Sequence, residues 1–189
     1  MITEMEKMRS GRMYRYDDPE VVAAISRAQA LCARLRSMTT ASPDYRATIE
    51  ALIPGLPVSS TITPPFHCDF GSEVTIGVDV FVNYNCTMLD CGGIVIGDHV
   101  RIGPSCHLYT PNHPLDPDAR RLPQETGLPI SIGNDTWLGG NVTVCPGVTI
   151  GQRCVIAAGA VVTHDIPDDS LAAGNPATVR RHLSPYATL

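Results

Sequence analysis

An aliphatic residue returns at every sixth position through the second half of this chain, at Ile132, Leu138, Val144, Ile150, Ile156 and Val162. Four places after each lies a second slot, filled by Thr136, Val142, Val148, Cys154, Ala160 and Ile166. The same beat appears earlier, where Ile76 and Val82 are followed by Val80 and Cys86, and Ile96 and Ile102 by Val100 and Cys106. Glycine often comes directly after the aliphatic residue, as at Gly77, Gly97, Gly103, Gly133, Gly139 and Gly151. A helical period of about 3.6 cannot hold a six-residue phase, and strand alternation alone does not call for the glycines. A short fixed period of this kind predicts a parallel β-helix. Three hexads make one triangular coil, and each coil lies on the one below at roughly 4.8 Å, with the aliphatic residues stacked in ladders along the axis. Glycine is expected where a Cβ would crowd the backbone at a corner.

Two helices are expected ahead of this solenoid. Asp17 or Asp18 caps the first, with Pro19 in its first turn, and Val21, Val22, Ile25, Ala28, Leu31, Cys32 and Leu35 form its apolar stripe. The second starts at Ser42-Pro43, carries Tyr45, Ile49 and Leu52, and ends at Pro54-Gly55. Their expected task is to shield the unpaired strand edges of the first coil. The beat lapses between Tyr109 and Pro129, a stretch with Pro111, Pro114, Pro117 and Pro123 and several charged residues. A loop this long inside a regular repeat is usually functional. The reading is a mainly β chain with an N-terminal helical cap over 1–57, a β-helix over 58–167 with an extruded loop at 109–129, and a tail over 168–189 that leaves the helix at Pro167.

Composition narrows the function classes. Net charge is −5 over 189 residues and the basic residues form no run, which argues against a nucleic-acid partner. The apolar stretch Val155 to Val162 is far too short to span a membrane, and the N-terminus lacks a signal-peptide core, so a soluble cytoplasmic protein is expected. Seven cysteines, an odd number without C-x-x-C spacing, argue against a disulfide framework and a structural zinc site. Cys86, Cys106 and Cys154 fall on the small slot as compact apolar filler.

Among six histidines, His113 stands apart. It lies in the extruded loop, in Tyr109-Thr-Pro-Asn-His-Pro-Leu115, between prolines that hold its backbone still. An imidazole of ordinary pKa about 6.5 is the natural base for a hydroxyl proton near neutral pH. His99 falls at a corner and His182 in the polar tail.

The motifs Pro64-Pro-Phe-His-Cys-Asp-Phe-Gly71, Phe81-Val-Asn-Tyr-Asn85, Leu89-Asp90, His113-Pro-Leu115, Trp137-Leu-Gly-Gly140 and Ala173-Gly-Asn-Pro-Ala177 resemble those of the maltose and galactoside O-acetyltransferases, in the family's order. Met8-x-x-Gly11-x-x-Tyr14 followed by Asp18-Pro-Glu20 is similar to the family's helical cap. The resemblance implies a left-handed β-helix that assembles as a homotrimer, with acetyl-CoA as co-substrate in clefts between subunits and a small-molecule hydroxyl as acceptor. It implies that His113 is the base and that Asn83 bonds the acceptor hydroxyl. Trp137, Gly139, Gly140, Ala158, Gly159, Thr163, His164 and Arg181 fall on the cofactor side. On the acceptor side stand Tyr14, Asp69, Asp90 and Glu125; Asp69 and Asp90 are either sugar-binding or corner residues with local hydrogen bonds, and Glu125 either orients His113 or meets the acceptor. Acetyl-CoA is an activated thioester, so a positioned alcohol, a base and an oxyanion donor near Gly140 suffice, with no metal.

The chain departs from the family at His164, where lysine is common, at Thr178 in place of an arginine, at Arg15-Tyr16 after Tyr14, and at Cys91-Gly92-Gly93. The acceptor is therefore a sugar or another small alcohol, including a non-sugar metabolite. Two other readings compete: a non-catalytic β-helix scaffold, and a zinc enzyme of the carbonic-anhydrase type using His107 and His113, which lacks an obvious third ligand.

Overall fold

The computed structural model describes residues 2–184; residue 1 and the last five residues of the expected tail lie outside it. Three parallel sheets wrap one axis as the faces of a triangular prism. The first face holds Val74–Ile76, Ile94–Ile96, Ile130–Ile132 and Thr149–Ile150. The second holds Thr61–Ile62, Phe81–Val82, Arg101–Ile102, Trp137–Leu138, Val155–Ile156 and Ser170–Gly174, and the third Phe66–Cys68, Cys86–Leu89, His107–Tyr109, Thr143–Val144 and Val161–Val162. Register puts like on like. Ile62, Val82, Ile102, Leu138, Ile156 and Ala172 stack in one buried ladder, and Cys68, Met88, Leu108, Val144 and Val162 in another.

Ile62, Cys68, Met88 and Leu108 also belong to these ladders and keep the six-residue step, Cys68 following Ile62, Met88 following Val82 and Leu108 following Ile102; the step fails only after them. Cys68 to Ile76 and Met88 to Ile96 are eight positions, not six, so two extra residues sit between the third and first faces in each of the first two coils. The loop of 109–129 leaves the third coil at that same edge. One edge of the prism is thus enlarged in three successive coils, and everything that builds the site follows from it.

The hexad glycines answer to stacking rather than to turning. A Cβ on Gly133 would lie 2.5 Å from the Gln152 amide nitrogen, and one on Gly139 2.6 Å from that of Ala158. The left-handed corner positions are taken by Asp79, His99, Asp135 and Arg153 along one edge and by Asn85, Ser105 and Asn141 along the next.

In the cap, α1 (Glu4–Arg9) was not among the expected helices; α2 (Pro19–Leu35) begins where Asp18 accepts a hydrogen bond from the Glu20 amide, and α3 spans Tyr45–Leu52. α2 and α3 close the first coil, their Ala28, Cys32, Leu35, Ile49 and Leu52 continuous with the solenoid core. Tyr45 stands in for a missing strand: its hydroxyl donates to the Ile62 carbonyl at 2.7 Å and accepts from the Ile62 amide at 3.1 Å. α1 does something else. Met5 and Met8 join Tyr14, Val21, Phe70 and Cys91 in a separate apolar cluster beside the enlarged edge.

The loop is ordered by pairing that its prolines conceal. Pro111–Asn112 runs antiparallel to Thr126–Gly127, and Tyr14–Arg15 adds to the other side of the same segment, Tyr14 opposite Glu125. A short helix, α4 (Pro117–Arg120), sits between the two loop strands in sequence, with Asp116 accepting from the Ala119 amide. The tail also departs from expectation. Instead of leaving at Pro167, the chain adds Ser170–Gly174 in parallel to Val155–Ile156 and then turns back antiparallel as Ala177–His182. Ala172 fills the last interior layer, ten positions after Val162, so the six-residue phase cannot reveal it.

The loop is anchored by backbone contact between glycines, since a Cβ on Gly127 would stand 2.4 Å from the Cα and nitrogen of Gly92. Gly127→Ala is expected to lower stability by about 1–3 kcal/mol through overpacking, read as a reduced midpoint in urea unfolding.

Candidate active site

The enlarged edge is stitched coil to coil by polar side chains. Asp90 is wholly buried; its carboxylate accepts from the amides of Asp69 at 3.1 Å, Phe70 at 2.9 Å and Glu73 at 3.3 Å. One coil on, Thr110 accepts from the Gly92 amide at 2.8 Å and donates to the Leu89 carbonyl at 2.7 Å. Burial pushes Asp90 up to about 6, opposed by its backbone donors. Of its two expected roles, Asp90 therefore fills the corner one, and its side chain does not line the cavity beside it.

That cavity, about 410 Å³, has walls from three parts of the chain: Asp69, Phe70 and Leu89 from the coils, Pro111, His113 and Glu125 from the loop, and Tyr16 and Ile25 from the cap. Glu125 is its hinge. One carboxylate oxygen takes a short hydrogen bond from the buried Tyr14 hydroxyl, and the other lies 3.5 Å from His113 Nε2. Burial, then the bond to Glu125, raises the Tyr14 phenol well above its ordinary value, which keeps it a donor. The Tyr16 ring meets the imidazole edge-on, with centroids 6.4 Å apart. The imidazole is half exposed while Glu125 is mostly enclosed, so the ring offers one nitrogen to Glu125 and the other to whatever enters. A carboxylate behind an imidazole fixes its tautomer and stabilises the imidazolium formed when it takes a proton. Asp69 is different: among the described residues no donor is hydrogen-bonded to its carboxylate, and burial, with Asp90 and Glu125 adding repulsion, pushes it up to about 7.

His113, Glu125, Tyr14 and Asp69 are thus brought together, and the remaining expected residues are not. Asn83, Gly139, Gly140, Ala158 and Gly159 lie on the edge between the second and third faces, where the Asn83 side chain accepts from the Tyr84 amide and the Gly159 amide donates to the Gly140 carbonyl. Trp137 points outward from the second face, half exposed, between Arg101 and Val155. Thr163 and His164 are exposed and 2.9 Å apart through Oγ1 and Nδ1; Arg181 lies in the final strand opposite Leu171. Sequence reasoning did not find Phe70, Leu89 and Ile25 as cavity walls, nor Tyr16, whose alternation with Tyr14 was the available signal. Among the described residues, no group of three or more His, Cys, Asp or Glu side chains is placed to hold a metal ion.

Comparison with known proteins agrees with this fold. The bacterial transferase hexapeptide (six repeats) model matches residues 129–164, and the maltose acetyltransferase hexapeptide capping motif matches residues 7–55. Nodulation protein L of Rhizobium meliloti is 38% identical over 183 residues, covering 94% of this chain and 98% of that one. A maltose O-acetyltransferase structure from Clostridium difficile 630 superposes with a TM-score of 0.93 at 34% identity, covering 96% of this chain and 98% of that one. A hexapeptide-repeat acetyltransferase from Vibrio cholerae, solved as a complex with acetyl coenzyme A, gives 0.90 at 41% identity, covering 96% and 99%. The fold and these relatives define a hexapeptide-repeat acetyltransferase, and the chain belongs to the maltose/galactoside O-acetyltransferase family.

Asp69 gives the site a pH signature. Its folded pKa of about 7 lies above an ordinary 3.8, so the folded state takes up the extra proton between these values and stability falls as pH rises through that window. Asp69→Asn is expected to be more stable than the parent at pH 8, by up to ~4 kcal/mol. The difference shrinks towards zero near pH 4 in urea titrations run across the range.

Proposed function

We propose that this chain is an acetyl-CoA-dependent O-acetyltransferase, moving the acetyl group to a hydroxyl of a sugar or another small alcohol with His113 as general base. The observation that carries the reading is the Tyr14–Glu125–His113 series at the wall of a cavity large enough for a small acceptor. His113 takes the hydroxyl proton as the alcohol oxygen attacks the thioester carbonyl, and returns it to the departing thiolate. Glu125 holds the ring and offsets its charge. Tyr14 holds Glu125. Asp69, without a donor among the described residues, accepts from acceptor hydroxyls.

The donor side is assigned to the other edge: Trp137, Gly139, Gly140, Ala158 and Gly159, with Thr163, His164 and Arg181 towards the end of the coil. Among the described residues the Gly140 amide has no hydrogen-bond acceptor, which suits the oxyanion donor of the transition state. Asn83 is assigned to the acceptor hydroxyl. Because Asn83 and His113 occupy different edges of one prism, their joint action requires the Asn83 edge of one copy to meet the loop edge of the next, as in a homotrimer. Seven unpaired thiols fit a reducing, cytoplasmic setting.

Thiol release from acetyl-CoA, assayed over sugars, glycosides and other hydroxylated compounds, is expected with at least one acceptor and is expected to fall by about 10²–10⁴ in His113→Ala. An undiminished rate in a folded His113→Ala would remove the base assignment; no release and no acetyl-CoA binding would favour a scaffold. Mixing and reassembling inactive His113→Ala and Asn83→Ala chains tests the shared site. Random trimers built from one residue per neighbour regain roughly a quarter of parental activity, whereas sites contained in single chains regain none.

A further inference from the structure

Two thiols lie where the cap meets the first coil, outside the acceptor cavity. Cys32 on α2 and Cys68 at the end of Phe66–Cys68 are 36 positions apart in sequence, yet their Sγ atoms stand 3.9 Å from each other. A second cavity of about 210 Å³ opens beside them, with Gln29, Arg36 and His67 on its wall. The other close cysteines of the chain offer a contrast. Cys86 and Cys106 occupy the solenoid interior, fully enclosed, each thiol donating to a backbone carbonyl, of Gly103 and Gly139 respectively. Cys145 is partly exposed, and Cys91 is buried against Thr110. Of the seven, only Cys32 and Cys68 combine a sulfur neighbour within 4 Å with an opening to solvent.

We propose that Cys32 and Cys68 form an oxidation site, a dithiol that hydrogen peroxide converts to an intrachain disulfide joining the cap to the first coil. Cys32 is the attacking sulfur. Either thiol can donate across this contact; with Cys68 as donor the contact lowers the pKa of Cys32, while the same contact and burial raise that of Cys68. The Cys32 thiolate attacks the O–O bond, giving a sulfenic acid and hydroxide, which takes up a proton as water. The Cys68 sulfur then displaces the sulfenic hydroxyl; its own proton leaves with that oxygen as a second water. Two thiols and one peroxide become one disulfide and two waters, the sulfurs losing the two electrons that the peroxide gains. The sulfurs need to approach by a further ~2 Å to reach bonding distance. The cap and coil that supply them also wall the acceptor cavity: Ile25 lies two turns before Cys32 on α2, and Asp69 directly follows Cys68.

The test uses the full chain, treated with hydrogen peroxide at neutral pH, alkylated under denaturing conditions, digested and read by mass spectrometry. The expected result is one linked peptide pair containing Cys32 and Cys68, with the other five of seven cysteines alkylated, and all seven recovered after dithiothreitol. A Cys68→Ala chain should instead hold a sulfenic acid at Cys32 that dimedone traps. Seven alkylated cysteines after peroxide, a bridge between any other two, or sulfinic acid at Cys32 without a bridge in the parent chain would each overturn the proposal, and none depends on a variant folding.

Discussion

Every coil of this protein is hydrogen-bonded to the next at fixed register, and that vertical contact constrains all else. The Gly97 amide donates to the Ile132 carbonyl and the Gly133 amide to that of Ile150, both at 2.8 Å. With backbones this close, side chains are excluded at the glycine column and extra residues cannot be absorbed within a face. They have to leave at an edge. Two additions of two residues and one of eighteen leave at the same edge, where Asp90 and Thr110 satisfy the amides that the widened corners expose. A rigid ladder thus concentrates all its irregularity in one place, and that place holds the cavity.

The cavity is acidic by construction. Asp69 and Glu125 line it with Asp90 buried beside it, and among the described residues no lysine or arginine lines it. Burial of carboxylates is costly unless donors answer them. Backbone amides answer Asp90 and the Tyr14 phenol answers Glu125, whereas Asp69 is left to the solvent or to an entering molecule. The cap helix α1 serves this arrangement from outside: by burying Met5 and Met8 against Tyr14 and Phe70, it fixes the phenol that fixes Glu125.

The hexad beat made the solenoid legible, because packing along the axis repeats locally in sequence. Helices α2 and α3 were legible for a similar reason, through Asp18-Pro19 and the apolar stripes, although α3 begins at Tyr45 rather than at Ser42-Pro43 and carries no side-chain cap. What remained hidden depends on contacts distant in sequence. Nothing near Tyr14 announces its pairing with Glu125, more than a hundred residues away. The hairpin within 109–129 is masked by its prolines, and the final strands by the broken phase between Val162 and Ala172. His113 and Glu125 were both singled out, with orientation of His113 one of two roles expected of Glu125, yet the 3.5 Å between them was not readable from spacing. Asp90 shows the converse: a carboxylate in a motif looked equally fit for ligand and for backbone until the corner beneath it was seen.

Both ends of the prism are sealed. At one, the Tyr45 hydroxyl occupies the donor and acceptor of Ile62 that another coil would otherwise use; at the other, Ala177–His182 folds back over Ser170–Gly174. A parallel β-helix left open would template its own continuation, coil on coil and chain on chain, into a filament. These two closures make the number of coils a fixed property of the sequence and leave only the lateral faces for association between chains.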